Sequence, residues 1–279
     1  MYDDQVLINK FKVEVYLERI GPPTPLKLLM LMLTTPWHKV HYLILGPKLK
    51  FLNLNELKKE LVLGKSLVRW GDGETAIARG KSISYQSASS NLQLILKNIL
   101  KKTDNNTVYG ISWAYNSRIW DKRWNKKSVK VLLSTRIFWC ANFNPSKNSN
   151  YVETTIFYDL GNKFPIFLNE ISKNKSILLL ASDKNYLKVC PSRTKYVECR
   201  PKDSFHDFER IISEIDGWKK SAYDKRLIVF CALGPTTKAI WSHYIGQKRI
   251  QVVDIGHGFS FYLNGENGFA WNSNKIDTK

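Results

Sequence analysis

Two apolar runs in this chain each stop at a glycine turn and hand over to a helical pattern, a layout that narrows the choice of fold sharply. The first run ends in Leu67 and Val68, passes through Arg69-Trp70-Gly71-Asp72-Gly73-Glu74, and continues into Ala76-Ile77-Ala78. The second, Leu227 to Ala232, leads into Gly234-Pro235-Thr236-Thr237-Lys238 and then Ala239-Ile240-Trp241. A short, continuous apolar run bounded by charge and glycine reads as a buried strand. Gln251 to Ile255 reads the same way and ends in Gly256-His257-Gly258. Further strands are expected over Ser66 to Trp70, Val108 to Ser112, Thr154 to Tyr158, Ile177 to Ala181 and Tyr196 to Cys199. Helices are expected over Asn55 to Leu63 (closed by Gly64), Asn91 to Lys102, Val129 to Phe143, and Ser204 to about Trp218. Such alternation implies an α/β fold: a single Rossmann-like domain over residues 54–279, its mainly parallel sheet covered by helices on both faces. Residues 1–53 read as an N-terminal extension divided by Gly21-Pro22-Pro23-Thr24-Pro25.

In open α/β sheets, ligands gather where the strands end, so the turns carry the candidate chemistry. Asp72 and Glu74 stand one residue apart, and Gly71 and Gly73 allow the backbone conformations closed to other residues. A carboxylate pair on a turn suits a hard divalent cation, Mn²⁺ or Mg²⁺, which prefers oxygen ligands and keeps room for substrate phosphates. The same spacing also makes an ordinary helix start, with Asp72 as N-cap and Glu74 favoured by the helix dipole. Both readings stay open on spacing alone. The Gly234 to Lys238 turn, with Pro235 in the first helical turn and Thr236 and Thr237 beside it, presents a helix N-terminus of the kind that attracts phosphate. Lys238 would add a point charge there, and the alternative is a plain strand-to-helix connection. His257, between two glycines at a strand end, is either a ligand or a structural histidine.

Taken in order, these blocks resemble the glycosyltransferases of the GT-D fold, a family first catalogued as a domain of unknown function. RWGDGE resembles that family's R-F-G-D-G-E segment with its Asp-x-Glu motif, CALGPTTKAI its A-L-G-P-T-A-K stretch, and VVDIGHG its D-I-G-H stretch. A fourth block, Arg200-Pro201-Lys202-Asp203-Ser204-Phe205, resembles the start of a family helix. The resemblance spans about residues 54 to 262. After the histidine, where the family commonly has an acidic residue, this chain reads Gly258-Phe259-Ser260. The resemblance implies transfer of a sugar from a nucleotide diphosphate sugar to a glycan acceptor, with a divalent ion at the leaving pyrophosphate. It implies Asp72 and Glu74 as metal ligands, His257 as a further ligand or a hydrogen-bond donor to the phosphates, and Arg69 as a partner of phosphate or of a carboxylate. The Gly234 to Lys238 turn would meet the nucleotide or its diphosphate. A general base is not identified by the motifs; Asp254, Asp183 and Glu266 are the carboxylates open to that role, Asp254 also standing among the donor-binding residues.

Composition bears on the acceptor. Lys and Arg number 43 against 24 Asp and Glu, a net charge of +19 that implies an anionic partner. Between Lys97 and Arg136 basic residues are interleaved with Trp113, Trp120 and Trp124. That mixture suits an anionic membrane surface, single-stranded nucleic acid, or a solvated face over core aromatics. A lipid-linked glycan at the inner face of a membrane would satisfy the first. A nucleic-acid-binding protein does not account for the ligand-binding turns, and a metal-dependent phosphoesterase often recruits more His and Asp ligands than a chain with five His provides. The four cysteines contain no C-x-x-C pair, which argues for buried free thiols and a cytoplasmic setting. No signal peptide is expected at the N-terminus, and Leu26 to Trp37 is too short to span a bilayer, which takes about 20 residues.

Overall fold

The computed structural model describes residues 49–102, 104–112, 139, 142–143, 149–222 and 226–265. The segment Leu26 to Trp37, nearly all of the N-terminal extension, the tryptophan-rich stretch beyond residue 112, most of the helix expected over Val129 to Phe143, and Glu266 lie outside the described residues.

The described strands are β1 (Ser66–Arg69), β2 (Thr107–Ile111), β3 (Asn150–Glu153), β4 (Ser176–Ala181), β5 (Lys195–Glu198), β6 (Leu227–Cys231) and β7 (Ile250–Asp254). They form one sheet in the order β3-β2-β1-β7-β6-β4-β5, and every pairing is parallel. Successive side chains in a strand point to opposite faces. Val68, Tyr109, Leu178, Leu180, Val229 and Val252 therefore enter one core, while Leu67, Val108, Leu179, Ile228, Phe230 and Val253 enter the other. Helices α2 (Asp72–Ala78), α3 (Ser90–Ile99), α5 (Phe208–Ser221) and α6 (Pro235–Tyr244) cover the first face. Helices α1 (Leu54–Val62), α4 (Phe164–Ile171) and α7 (Gly258–Asn264) cover the second. Burial on both faces is why the central strands read as unbroken apolar runs rather than alternating ones.

Local chemistry sets the ends of the elements. Asn53 starts α1 with a reciprocal capping box, its side chain accepting from Asn55 and Glu56 while the Glu56 carboxylate accepts from its backbone N–H. One expected strand is displaced. Thr154 to Tyr158 has strand-forming composition, yet the strand lies at Asn150–Glu153 and the chain then turns, Ile156 N–H bonding to Glu153 O and Tyr158 N–H to Thr155 O. The turn buries Ile156 and Phe157 in the second core, and it leaves the Thr154 carbonyl outside the sheet ladder.

The sheet order places the site. From β1 the chain moves outward to β2 and β3, while its later strands build the other side and β7 closes against β1. The strand order reverses at β1 and β7, and the crevice outside their carboxyl ends is the place where such sheets take ligands.

Candidate active site

The three sequence blocks meet at that crevice, and a buried lysine joins them. Lys238, on the first turn of α6, is 2% exposed. Its ammonium donates to Glu74 Oε1 at 2.6 Å, to Asp254 Oδ2 at 2.7 Å and to the Gly234 carbonyl at 3.2 Å. An ammonium has three N–H donors, so none is left for a phosphate. The expected point charge is instead an interior cation. Burial works against its charge, but the Asp254 and Glu74 carboxylates outweigh that, and the ammonium is held above its usual range.

Asp72 and Glu74 part company. Glu74 is buried, and its second oxygen, Oε2, accepts from the Gly71 backbone N–H at 2.8 Å, closing the start of α2. Asp72 is exposed, with Oδ1 accepting from the Gly73 N–H at 2.9 Å. Of the two, only Asp72 keeps an oxygen without a partner among the described residues. Among the described residues no three His, Cys, Asp or Glu side chains gather as a metal cluster. A divalent ion that holds one carboxylate and takes its other oxygens from water and substrate phosphates fits this donor set at Asp72.

Arg69, at the end of β1, is 8% exposed and acts on the protein itself. Its Nη1 donates to the Thr154 carbonyl at 2.6 Å, Nη2 lies 3.7 Å from Asp254 Oδ1, and its backbone N–H reaches Asp254 Oδ2 at 3.2 Å. The guanidinium lies over the Phe157 ring, 5.4 Å from its centroid. Of the two partners expected for it, phosphate or a carboxylate, the carboxylate of Asp254 is the one beside it in this structure. Gly256 has φ +50°, and a Cβ there would run into the guanidinium; one on Gly110 would stand 2.6 Å from Arg69 Cγ.

The Gly234 to Lys238 turn differs from the expected phosphate cradle. Pro235, Thr236, Thr237 and Lys238 are all buried. Thr236 N–H bonds to Leu233 O at 3.3 Å and Thr237 N–H to Gly234 O at 3.1 Å, so the donors of the first helical turn are already engaged. Gly234 alone of this turn is half-buried. His257 follows β7 and is half-buried, its ring edge-on to Tyr85 at 6.4 Å between centroids. Burial and then the Arg69 charge hold the imidazole below its usual range, which favours the neutral form that ligates metals or accepts a proton. Of the other carboxylates, Asp254 is ion-paired in the interior and Asp183 accepts from the Asn185 N–H.

Tyr85 is the site residue that sequence reasoning missed. Its hydroxyl would lie 3.2 Å from a Cβ on Gly73, and its Cε2 2.8 Å from one on Gly234. Burial, followed by the charges of Glu74, Asp72 and Asp254, raises the phenol far above its usual range, so it remains a proton-bearing donor. The fourth sequence block fixes it in place. Asp203 N–H donates to Tyr85 O at 2.9 Å, and Asp203 Oδ1 accepts from Ser87 N–H at 2.5 Å, with Asp203 at φ +55°. Gln86, 2% exposed, accepts from Phe205 N–H at 3.3 Å and from Thr236 Oγ1 at 3.4 Å.

Comparison with known proteins bears on the fold and the family. Glycosyltransferase GlyD of Streptococcus pneumoniae serotype 4 (strain ATCC BAA-334 / TIGR4) is 25% identical over 221 residues, covering 71% of this chain and 25% of that protein. The chain thus spans about a quarter of the length of this curated relative. Among solved structures, the selenomethionine-substituted domain of unknown function 1792 superposes with a TM-score of 0.62 at 20% identity, over 82% of this chain and 86% of that one. A glycosyltransferase of the same domain type from Streptococcus sanguinis gives 0.60 at 18% identity, over 77% and 84%. Identities this low speak for the fold. A family model, Glycosyltransferase GT-D fold, matches residues 67–265 and so takes in Arg69 through Glu74, the Lys238 turn and His257. On a match that covers most of the chain and its whole candidate site, the protein belongs to the glycosyltransferase GT-D fold family.

Proposed function

We propose that this chain transfers a sugar from a nucleoside diphosphate sugar to a glycan acceptor, with Mn²⁺ or Mg²⁺ held at Asp72. The observation that carries the reading is the convergence of the Asp72–Glu74 turn, the Gly234 turn and the Asp254–His257 strand end on one crevice, in a member of a glycosyltransferase family. Bound there, the ion would act as a Lewis acid on the departing diphosphate.

The chain's own residues prepare the place. Glu74 closes the Gly71 N–H and so sets the turn on which Asp72 stands. Arg69 and Lys238 offset Asp254 and Glu74, and among the described residues no ion pair offsets the exposed Asp72. Tyr85, proton-bearing, is available to donate a hydrogen bond to a substrate oxygen, and His257, held toward its neutral form, stands beside it with its ring edge-on to the tyrosine. The acceptor we propose is a glycan on an anionic, lipid-linked carrier at the inner face of a membrane, which suits the +19 charge.

The test is a panel of nucleoside diphosphate sugars with Mn²⁺, scored by release of the free nucleoside diphosphate. One donor should be turned over, and Asp72→Asn should lower its rate by about 10²-fold, the scale for loss of one charge-stabilising group, without changing the melting temperature. Phosphate release from simple esters with no turnover of any sugar donor would replace this reading with a phosphoesterase.

A further inference from the structure

We infer that Lys238 divides the Asp72–Glu74 pair into two separate roles. Lys238 is a positioning residue that locks Glu74 and Asp254 into an internal ion triad, and Asp72 alone is the carboxylate offered to a divalent cation. The inference rests on the metal reading above and goes further by removing Glu74 from the ligand set.

The geometry supports each part. Lys238, Glu74 and Asp254 are 2%, 6% and 1% exposed, and the ammonium stands within 2.6 and 2.7 Å of the two carboxylates. Both Glu74 oxygens are engaged, one by this ammonium and one by the Gly71 N–H. A cation that binds Mg²⁺-like ligands approaches an oxygen to about 2.0–2.1 Å. At Glu74 it would have to share the carboxylate with a fixed, buried positive charge. Among the described residues no such competitor touches Asp72, two residues away on the exposed side of the turn. The triad also has a positional effect. Glu74 belongs to α2, Lys238 to α6 and Asp254 to β7, so the ion contacts fix the start of α2, and with it Asp72, against the two elements that wall the crevice. Breaking a buried pair by removing one partner leaves an uncompensated charge in the interior.

The two carboxylates should therefore fail in different ways. Nucleoside diphosphate binding is measured by calorimetry with Mn²⁺ and with chelator, and melting is measured alongside it. Asp72→Asn should lose the Mn²⁺ dependence of binding and melt like the wild type. Glu74→Gln should keep that dependence within about threefold and melt lower. If Glu74→Gln loses the dependence as Asp72→Asn does and melts normally, the division of roles is wrong and the metal reading stands. If the wild type binds nucleoside diphosphates with no response to Mn²⁺, both fall. A second arm uses Mn²⁺ alone. Lys238→Met removes the internal cation, so Mn²⁺ should raise its melting temperature more than that of the wild type, and Lys238→Met with Glu74→Gln should abolish that gain. An unchanged Mn²⁺ response in Lys238→Met would also overturn the inference. The comparison of Asp72→Asn with Glu74→Gln decides the matter even where Lys238→Met does not fold.

Discussion

Gly234 combines a backbone conformation of φ +53° with a side-chain neighbour, Tyr85 Cε2, that a Cβ would meet at 2.8 Å. Replacing it with Ala therefore carries two penalties, one in the backbone and one in the crevice. Gly234→Ala should lower the unfolding free energy by about 1–3 kcal/mol, and Gly234→Ala with Tyr85→Ala should recover the part owed to the tyrosine. Urea unfolding of the two single variants and the double separates the parts as a double-mutant cycle; strict additivity would show that the contact with Tyr85 does not matter. The residues of the site were unequally legible in the sequence. Asp72, Glu74, Gly234 and His257 stand on glycine turns at strand ends, and that local signature is visible without a structure. Tyr85 and Gly110 carry no such mark. Tyr85 reaches the crevice because a turn about Ile83 and Gln86 is pinned by Asp203, more than a hundred residues later (|i−j| = 116 for the Ser87–Asp203 bond). Lys238 is visible in the sequence as a residue but not as an interior cation, since a lysine on a helix start points to phosphate only if its donors are free, and here all three are engaged.

At the scale of elements, most strands and helices fell within a residue or two of expectation, since fully buried strands leave unbroken apolar runs. The shift from Thr154–Tyr158 to Asn150–Glu153 has a tertiary cause. Ile156 and Phe157 have strand-like composition but bury in a turn, and Arg69 uses the carbonyl that turn sets free. A second tertiary device joins α1, α4 and β7. Lys175, 8% exposed, donates to the carbonyls of Leu61 and Ile171 at 2.9 and 2.8 Å and to Gln251 Oε1 at 2.8 Å. It closes two helix C-termini at once. Burial, followed by the charge of Arg226, pushes its ammonium down to about 8 from 10.5. With the folded value below the unfolded one, the unfolded chain binds more protons between those limits, so this residue's contribution to stability improves as pH rises through the window. The difference in unfolding free energy between wild type and Lys175→Met should accordingly grow from about pH 8 to 10.5, by up to about 3 kcal/mol. Taking the difference cancels the thiols and tyrosines that titrate nearby. A difference that stays flat across the window would show that the ammonium is not desolvated as its position implies.

For the whole molecule, the excess of basic residues is the property that local geometry does not explain. Among the described residues no helix is long and apolar enough to cross a membrane. If the acceptor is carried on an anionic leaflet, the +19 charge should bring the protein to it at about 1 kcal/mol per basic residue near the surface. The expected result is co-sedimentation with vesicles containing anionic lipid at low salt, release as salt rises, and weaker binding when Lys122, Arg123, Lys126 and Lys127 are all changed to Gln. Wild-type protein left in the supernatant at low salt would direct attention to a soluble glycan acceptor.

The strand order has a further consequence for the protein's synthesis. β1 lies between β2 and β7, so an early strand waits for a late one before its second edge is paired. The wait is long: the bond from Arg69 N–H to Asp254 spans 185 residues, and the one from Lys238 to Glu74 spans 164. On a ribosome, where early segments emerge and collapse first, β1, β2 and β3 can associate while the crevice still lacks its far wall. Every charge contact that assembles the site is thus a late event. A nascent chain that has not yet released α6 and β7 holds Glu74 without Lys238 and Arg69 without Asp254, and its exposed β1 edge is then a place for a chaperone to bind or for another chain to pair wrongly.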